Sequence, residues 1–428
     1  MTLAASAPTS HKLLDLEKST AEAGVAQLIE RAIAMPASDL FFISNEQHTA
    51  VQVRHWGLVR PLAIVSPEQG KRLVSHIKAS ASMDLTNTRR PLDGRWIYAA
   101  DTDNAADLRI NSIPTVHGED LAIRLSSRRS QLFDLEYLGL ASDQLEQLQA
   151  MLQSPGGLLL ITGPTGSGKT STLYACLSYL NDSQRKINTI EDPIEFVIDG
   201  LRQSQINPQI DLTFSEMLRG VLRQSPDVIM IGEIRDAETA QIAVHAANSG
   251  HLVLASVHAA NSPAAIQSMR SFGVPSAFLA SSLRGVVSQR LLRTLCPNCK
   301  IAFDLPDQQT FADISPLLKE GEGQKLHAAR GCEQCHGAGY AGRTGIFELM
   351  RVSPQLRQLV ADGSTTEQIR RTALEQGMVE FRQSALLKVA RGLTTTEEIF
   401  RVIPAESLLE SIENNNQRQP RRRSSAAN

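Results

Sequence analysis

The first regular pattern along the chain is helical. Apolar groups at Val25, Leu28, Ile29, Ala32 and Ile33 fall on one face of a helix that begins near Ala21 and stops before Pro36. From Asp39 to Ile64 the period shortens to two, as in strands, and Val51-Gln52-Val53-Arg54-His55-Trp56 runs into a turn at Gly57. A second helix is expected over Pro67–Ser80, a turn over Pro91-Leu92-Asp93-Gly94, and more strands through Leu125. These elements predict an α+β domain over residues 21–127, an ordinary domain size. Residues 1–20 are polar and unpatterned and read as a disordered leader; residues 128–140 read as a linker.

Beyond the linker the pattern changes. Leu158–Thr162 is an unbroken apolar run, followed by a glycine-rich loop and a helix from Lys169 to Leu180. Later runs at Lys186–Ile190, Val228–Ile231 and His251–Val257 each precede a polar segment. Buried strands alternating with helices predict an α/β domain over 141–410, with a mainly parallel sheet and its chemistry at the carboxyl ends of the strands. Helices are expected over Pro263–Thr294 and again over Pro354–Ile403. Residues 411–428 are a basic tail rich in Asn, Gln, Arg and Ser, a composition that cannot bury a core and is expected to be disordered.

Composition narrows the function classes. The 428 residues are 42% apolar and 21% charged, with a net charge near −2. Neither that charge nor the 4% aromatic content supports a nucleic-acid binder, so none is expected as a partner. No stretch reaches the roughly 20 apolar residues of a membrane span, and the start of the chain lacks the pattern of a secretory signal. A cytoplasmic location is the expectation.

The candidate chemistry begins at Gly163-Pro164-Thr165-Gly166-Ser167-Gly168-Lys169-Thr170, with Ser171 next. Its glycines let the backbone bend around phosphates, and the following helix adds its positive N-terminal end. Lys169 can reach the β- and γ-phosphates of ATP, and the Thr170 hydroxyl can ligate Mg²⁺. Hydrolysis also needs a metal partner and a group that orients water. Glu191-Asp192-Pro193-Ile194-Glu195 and Gly232-Glu233 each follow a strand-like run and supply candidates. His251 and His258 flank the later run. Cys296, Cys299, Cys332 and Cys335 form two Cys-x-x-Cys pairs, the arrangement of a closed, structural Zn²⁺ site, while Cys176 reads as core packing.

In this order the segments resemble the secretion ATPase superfamily, specifically the type II secretion and type IV pilus assembly ATPases. The matching text is the phosphate loop, the acidic box Glu191–Glu195, the segment Leu222–Asp236 and the histidine box around His251 and His258. Upstream, Ala37-Ser38-Asp39, Arg89–Arg95 and Arg109–Glu119 also match. The resemblance implies a homohexameric ring of subunits with a PAS-like N-terminal domain and a RecA-like ATPase domain carrying a zinc insert at 296–335. It implies work with inner-membrane platform proteins, and so peripheral association with the inner membrane. Arg109 and Arg124, with Arg95 less closely matched, would complete the nucleotide site. Glu233 would hold Mg²⁺, Glu191 or Glu195 would orient the attacking water, and His251 would sit near the γ-phosphate or a subunit contact. The four cysteines point to the assembly and secretion branch rather than the retraction branch. A nucleic-acid translocating ATPase on the same core is the alternative. The chain departs from the family pattern at Leu40-Phe41-Phe42-Ile43 and at Ala259-Ala260-Asn261.

Overall fold

Thr20 opens the first helix by accepting the main-chain N–H of Ala23 at 3.3 Å, and α1 (Ala21–Ala34) follows. The structure, a computed structural model, describes residues 13–99, 105–127, 133–305 and 308–404. The chain divides into two compact units: Met1–Gln131 with Cys296–Lys300 and Ala329–Gly342, and Leu132–Leu295 with Ile301–Ala328 and Arg343–Asn428.

In the first unit, strands β1 (Ala37–Ser44), β2 (Thr49–His55) and β3 (Leu58–Val65) lead to α2 (Pro67–Ser80). Then come β4 (Leu92–Ala99), β5 (Ala105–Thr115) and β6 (Gly118–Ser127). The six strands form one antiparallel sheet in the order β3-β2-β1-β6-β5-β4. Alternation sends Leu40, Phe42, Val51, Val53, Leu108, Ile110 and Ile123 to one face, where they pack with Val25, Leu28, Ile29, Leu73 and Ile77 of the two helices. An α+β unit is therefore present.

Two sequence expectations change here. Residues 13–20 are not disordered: the Leu14 N–H donates to the Leu62 carbonyl at 2.9 Å, and Leu16 is fully buried in the core. Three leucines, Leu13, Leu14 and Leu16, in a short segment followed by polar residues set no clear period, so the anchoring depends on the tertiary fold; residues 1–12 lie outside the described residues. Of the turn expected at 91–94, Leu92–Gly94 belong instead to β4 and pair with β5; Gly94 lies against Met83, where a Cβ would come within 2.5 Å of the side chain.

The second unit begins with α3 (Ser142–Leu152), β7 (Gly157–Thr162), α4 (Lys169–Leu180), β8 (Ile187–Glu191) and β9 (Arg202–Gln205). It continues through α5 (Phe214–Leu222), β10 (Val228–Ile231), α6 (Ala237–Asn248), β11 (Leu252–Val257), α7 (Ser262–Ser271), α8 (Ser276–Ser282) and β12 (Leu283–Leu295). A small antiparallel pair, β13 (Ile301–Asp304) and β14 (Lys325–Ala328), precedes β15 (Tyr340–Arg351). Helices α9 (Pro354–Ala361), α10 (Thr366–Glu375), α11 (Phe381–Ala390) and α12 (Thr396–Val402) complete the described chain. The sheet order is β15-β12-β7-β11-β10-β8-β9, and the pairs from β12 to β9 are parallel. Helices cover both faces, so β7, β8, β10 and β11 are buried at every position.

Residues 283–294, expected to be helical, form β12. Both faces of this strand are largely buried, and an apolar run buried on both sides carries no period that separates strand from helix. The expected Pro354–Ile403 helices are α9 to α12. The expected tail lies outside the described residues. The cysteine segments group with the first unit rather than inside the 141–410 domain. Among the described residues, no helix is long and apolar enough to cross a membrane.

Candidate functional site

β7 delivers the chain into the loop Gly163–Gly168 at the centre of the sheet, and α4 leaves it. Gly163 has a φ of +145°, and a Cβ there would lie 2.4 Å from the Gln289 carbonyl oxygen, so only glycine fits. Gly168, in the left-handed region, is the N-cap of α4 and brings no side-chain acceptor to its first turn. The first-turn N–H groups are thus left to an anion, and Pro164, Thr165 and Gly166 stand exposed around them. Behind the loop, Gln289 is buried and its Nε2 donates to the Ser167 carbonyl at 2.9 Å. Lys169 Nζ donates to the carbonyls of Gly163 at 2.9 Å and Pro164 at 3.2 Å. Its burial pulls its pKa down, and the nearby Glu233 carboxylate partly restores it. Thr170 is half-buried and Ser171 exposed on the first turn of α4. These residues fit a phosphate chain carrying Mg²⁺.

Parallel pairing brings the carboxyl ends of β7, β8, β10 and β11 to one edge. Glu233, just past β10, accepts from Arg235 Nη2 at 2.6 Å through Oε2 and pairs with His258 Nε2 through Oε1. Arg235 reaches on to Asp192 Oδ2 at 3.0 Å. The hydrogen bond from Arg235 to Glu233 is the main cause holding the Arg235 pKa above its usual value. His258, the β10 segment and the acidic box are therefore joined in one chain of polar contacts beside Lys169.

The two acidic-box glutamates separate. Glu191 is 3% exposed and its carboxylate accepts from Thr189 Oγ1 at 2.6 Å, Gln203 Nε2 at 3.0 Å and the Tyr174 hydroxyl. Glu195 is exposed, and its main-chain N–H donates to the Tyr174 hydroxyl at 3.2 Å.

His251 is not near the phosphate loop. It precedes β11, its Nδ1 lies 3.0 Å from the Ala246 carbonyl, and its own carbonyl accepts the Gly157 N–H at 3.0 Å. Gly157 begins β7, so His251 sits at the opposite end of the sheet, about 20 Å from the loop for a six-residue strand. His258, past the far end of the same strand, is the histidine brought to the site. No partner for His258, no role for Arg235 or Gln289 and no sign of Tyr174 could be read from the sequence. The signal for His258 was the length of β11, which puts two flanking histidines at opposite edges.

Arg109 and Arg124 lie in the first unit as cross-strand neighbours on β5 and β6, and Arg95 stands opposite Arg109 on β4. Arg95 is paired with Asp107, Nε to Oδ1 at 2.9 Å and Nη2 to Oδ2 at 2.5 Å.

Cys296, Cys299, Cys332 and Cys335 place their four sulfurs within 4.8 Å of one another. Neighbouring sulfurs are 3.9 Å apart for Cys296 and Cys332, 3.8 Å for Cys299 and Cys335, and 3.7 Å for Cys332 and Cys335. A tetrahedron with Zn–S near 2.3 Å has edges of about 3.8 Å, so the cluster fits zinc. Asn298 donates to the Cys332 sulfur at 3.4 Å and leads the causes that bring this thiol down to about 6. Main-chain N–H groups of Cys332 and Gly339 each donate to the Cys335 sulfur at 3.2 Å, a supporting shell for thiolate ligands. His336 is not part of the cluster.

Residues 15–401 match the family model described as Type II/IV secretion system protein. The type II secretion system protein E of Dickeya dadantii is 41% identical over 409 residues, covering 95% of this chain and 80% of that protein. The type IV pilus assembly ATPase PilB of Thermus thermophilus is 38% identical over 387 residues, 90% of this chain and 43% of that one. The fold is also that of the Legionella pneumophila ATPase DotB, with a TM-score of 0.68 over 94% of this chain and 98% of the other at 19% identity. The phosphate loop with its ring of charged partners and the match along nearly the whole sequence together make the chain a member of the type II/IV secretion system protein family, an ATPase of the secretion and pilus-assembly kind.

Proposed function

We propose that the chain binds Mg·ATP at Gly163–Thr170 and hydrolyses it to drive a type II secretion or type IV pilus assembly machine from the cytoplasmic side of the inner membrane. The observation that carries this is the meeting of Lys169, Glu233, His258 and Arg235 at the carboxyl ends of three neighbouring strands. Lys169 and the α4 N–H groups hold the phosphates. Thr170 and Glu233 hold Mg²⁺, which neutralises charge on the phosphates. Glu195, the exposed glutamate of the acidic box, orients the attacking water, while buried Glu191 holds its surroundings in place. Arg109 and Arg124 act on the nucleotide of the assembled enzyme, as arginines supplied late to a transferring phosphoryl group do. The working form is a homohexamer of subunits with a PAS-like first unit and a RecA-like second unit, each subunit holding one structural Zn²⁺ in its four cysteines. Inner-membrane platform proteins are the partners, and the membrane association is peripheral, through them.

The test is phosphate release with Glu233→Gln, which keeps the side-chain shape and removes the charge. Turnover should fall by about 100-fold or more, the scale of losing one transition-state electrostatic group. Turnover equal to that of the unaltered chain contradicts the assignment.

A further inference from the structure

Tyr174 has no part in the reading above, yet it sits where the phosphate-loop helix meets the acidic box. It lies on α4, about one and a half turns beyond Lys169, and its side chain is fully buried. Its hydroxyl donates to Glu191 Oε2 and accepts the main-chain N–H groups of Glu195 at 3.2 Å and Phe196 at 3.5 Å. One donor and two acceptor sites exhaust what a phenolic oxygen offers. The ring is fixed edge-on by Phe133, with centroids 5.1 Å apart, and by Phe196 at 6.5 Å. Glu191, held in addition by Thr189 and Gln203, cannot turn away from the hydroxyl without leaving a buried carboxylate short of a donor. Gln203 also donates to the Phe196 carbonyl at 2.9 Å and the Ile194 N–H donates to Gln205 Oε1 at 3.2 Å, so the loop is held on both sides of Glu195.

We propose that Tyr174 is a positioning residue for hydrolysis: one hydroxyl locks the main chain of Glu195 and Phe196 to the helix that carries Lys169. This rests on the reading of Glu195 as the water-orienting carboxylate. The lock sets the distance between the group that holds phosphate and the group that aligns water. A phenylalanine keeps the ring and its edge contacts and removes all three hydrogen bonds.

The experiment compares Tyr174→Phe and Glu195→Gln with the unaltered full chain. It reads steady-state ATP hydrolysis, binding of a fluorescent ATP analogue, and amide hydrogen exchange. For Tyr174→Phe, kcat should fall about tenfold or more, because small displacements of aligned groups carry costs of this size. KM and the analogue's Kd should stay within about twofold, and exchange should quicken over residues 192–198. An unchanged kcat overturns the proposal. So does weaker ATP binding at constant kcat, which would make Tyr174 a support for the phosphate loop alone. If Glu195→Gln retains full kcat while Tyr174→Phe loses it, the assignment of Glu195 fails separately. If the Phe variant melts early, Glu191→Gln reads the same network: lower kcat at unchanged Kd together with faster exchange over residues 192–198 supports the lock, and unchanged kcat or unchanged exchange contradicts it.

Discussion

Glu348 is a carboxylate on β15 held between the starts of two helices. Oε1 accepts the Phe381 N–H at 3.2 Å, where α11 begins, and Oε2 the Ser262 N–H at 3.4 Å, where α7 begins. Burial nevertheless raises its pKa to about 7, with Glu380 adding repulsion and Arg370 opposing it; Arg290 also feels its charge. Because the folded-state pKa lies above the usual 4.5, the folded chain holds a proton that the unfolded chain has lost between these values. Stability from this group is full below pH 4.5 and declines up to pH 7, by about 1.4 kcal/mol per pH unit. Denaturant titrations over that window should show this slope, and Glu348→Gln should remove it; an unchanged slope would mean another group is responsible. At this scale the sequence was uneven. The loop Gly163–Thr170 and each Cys-x-x-Cys pair could be read from motif and spacing, because residues close along the chain form them; Glu233 and the meeting of the two cysteine pairs depend on the fold. Glu191 and Glu195 could not be told apart, since what separates them is Tyr174, 17 residues from Glu191 along the chain and in contact only after folding.

At the scale of elements, the site depends on strands ending level with one another and on a loop with no room for side chains. Gly163→Ala should therefore weaken binding of an ATP analogue at least about tenfold while far-ultraviolet circular dichroism stays unchanged, since the added Cβ meets the backbone of Gln289. Binding at full affinity would show that the loop does not adopt this shape. Strands and helices with a clear period were legible: α1 and α2 lie where the apolar pattern puts them, and β10 coincides with Val228–Ile231. β12 was not, because a strand buried on both faces has the same composition as a core helix. The distance of His251 from the phosphate loop leaves a subunit contact as its remaining expected place. A parallel sheet puts the start of the run His251–Val257 at the end away from the phosphate loop and His258 at the loop's end.

At the scale of the whole molecule, the chain joins a six-stranded α+β unit to a seven-stranded α/β unit, with the cysteine knuckles grouped in the first. That grouping joins segments 29 to 46 residues apart, from Cys296–Lys300 to Ala329–Gly342, and only the pairing of the knuckles across the insert hinted at it. The protein should contain one zinc per chain by elemental analysis, and Cys299→Ser should abolish that zinc and lower the melting temperature by roughly 5 °C or more. Full zinc content in the variant would exclude the four-sulfur site. Membership of the family rests on nearly the whole chain, but the central physical claim is local: ATP is split at the loop Gly163–Thr170. The most direct measurement is phosphate release by the purified full chain with Mg·ATP, set beside Lys169→Ala. The account predicts turnover in the first and a loss of about 100-fold or more in the second. Equal turnover in both would contradict it.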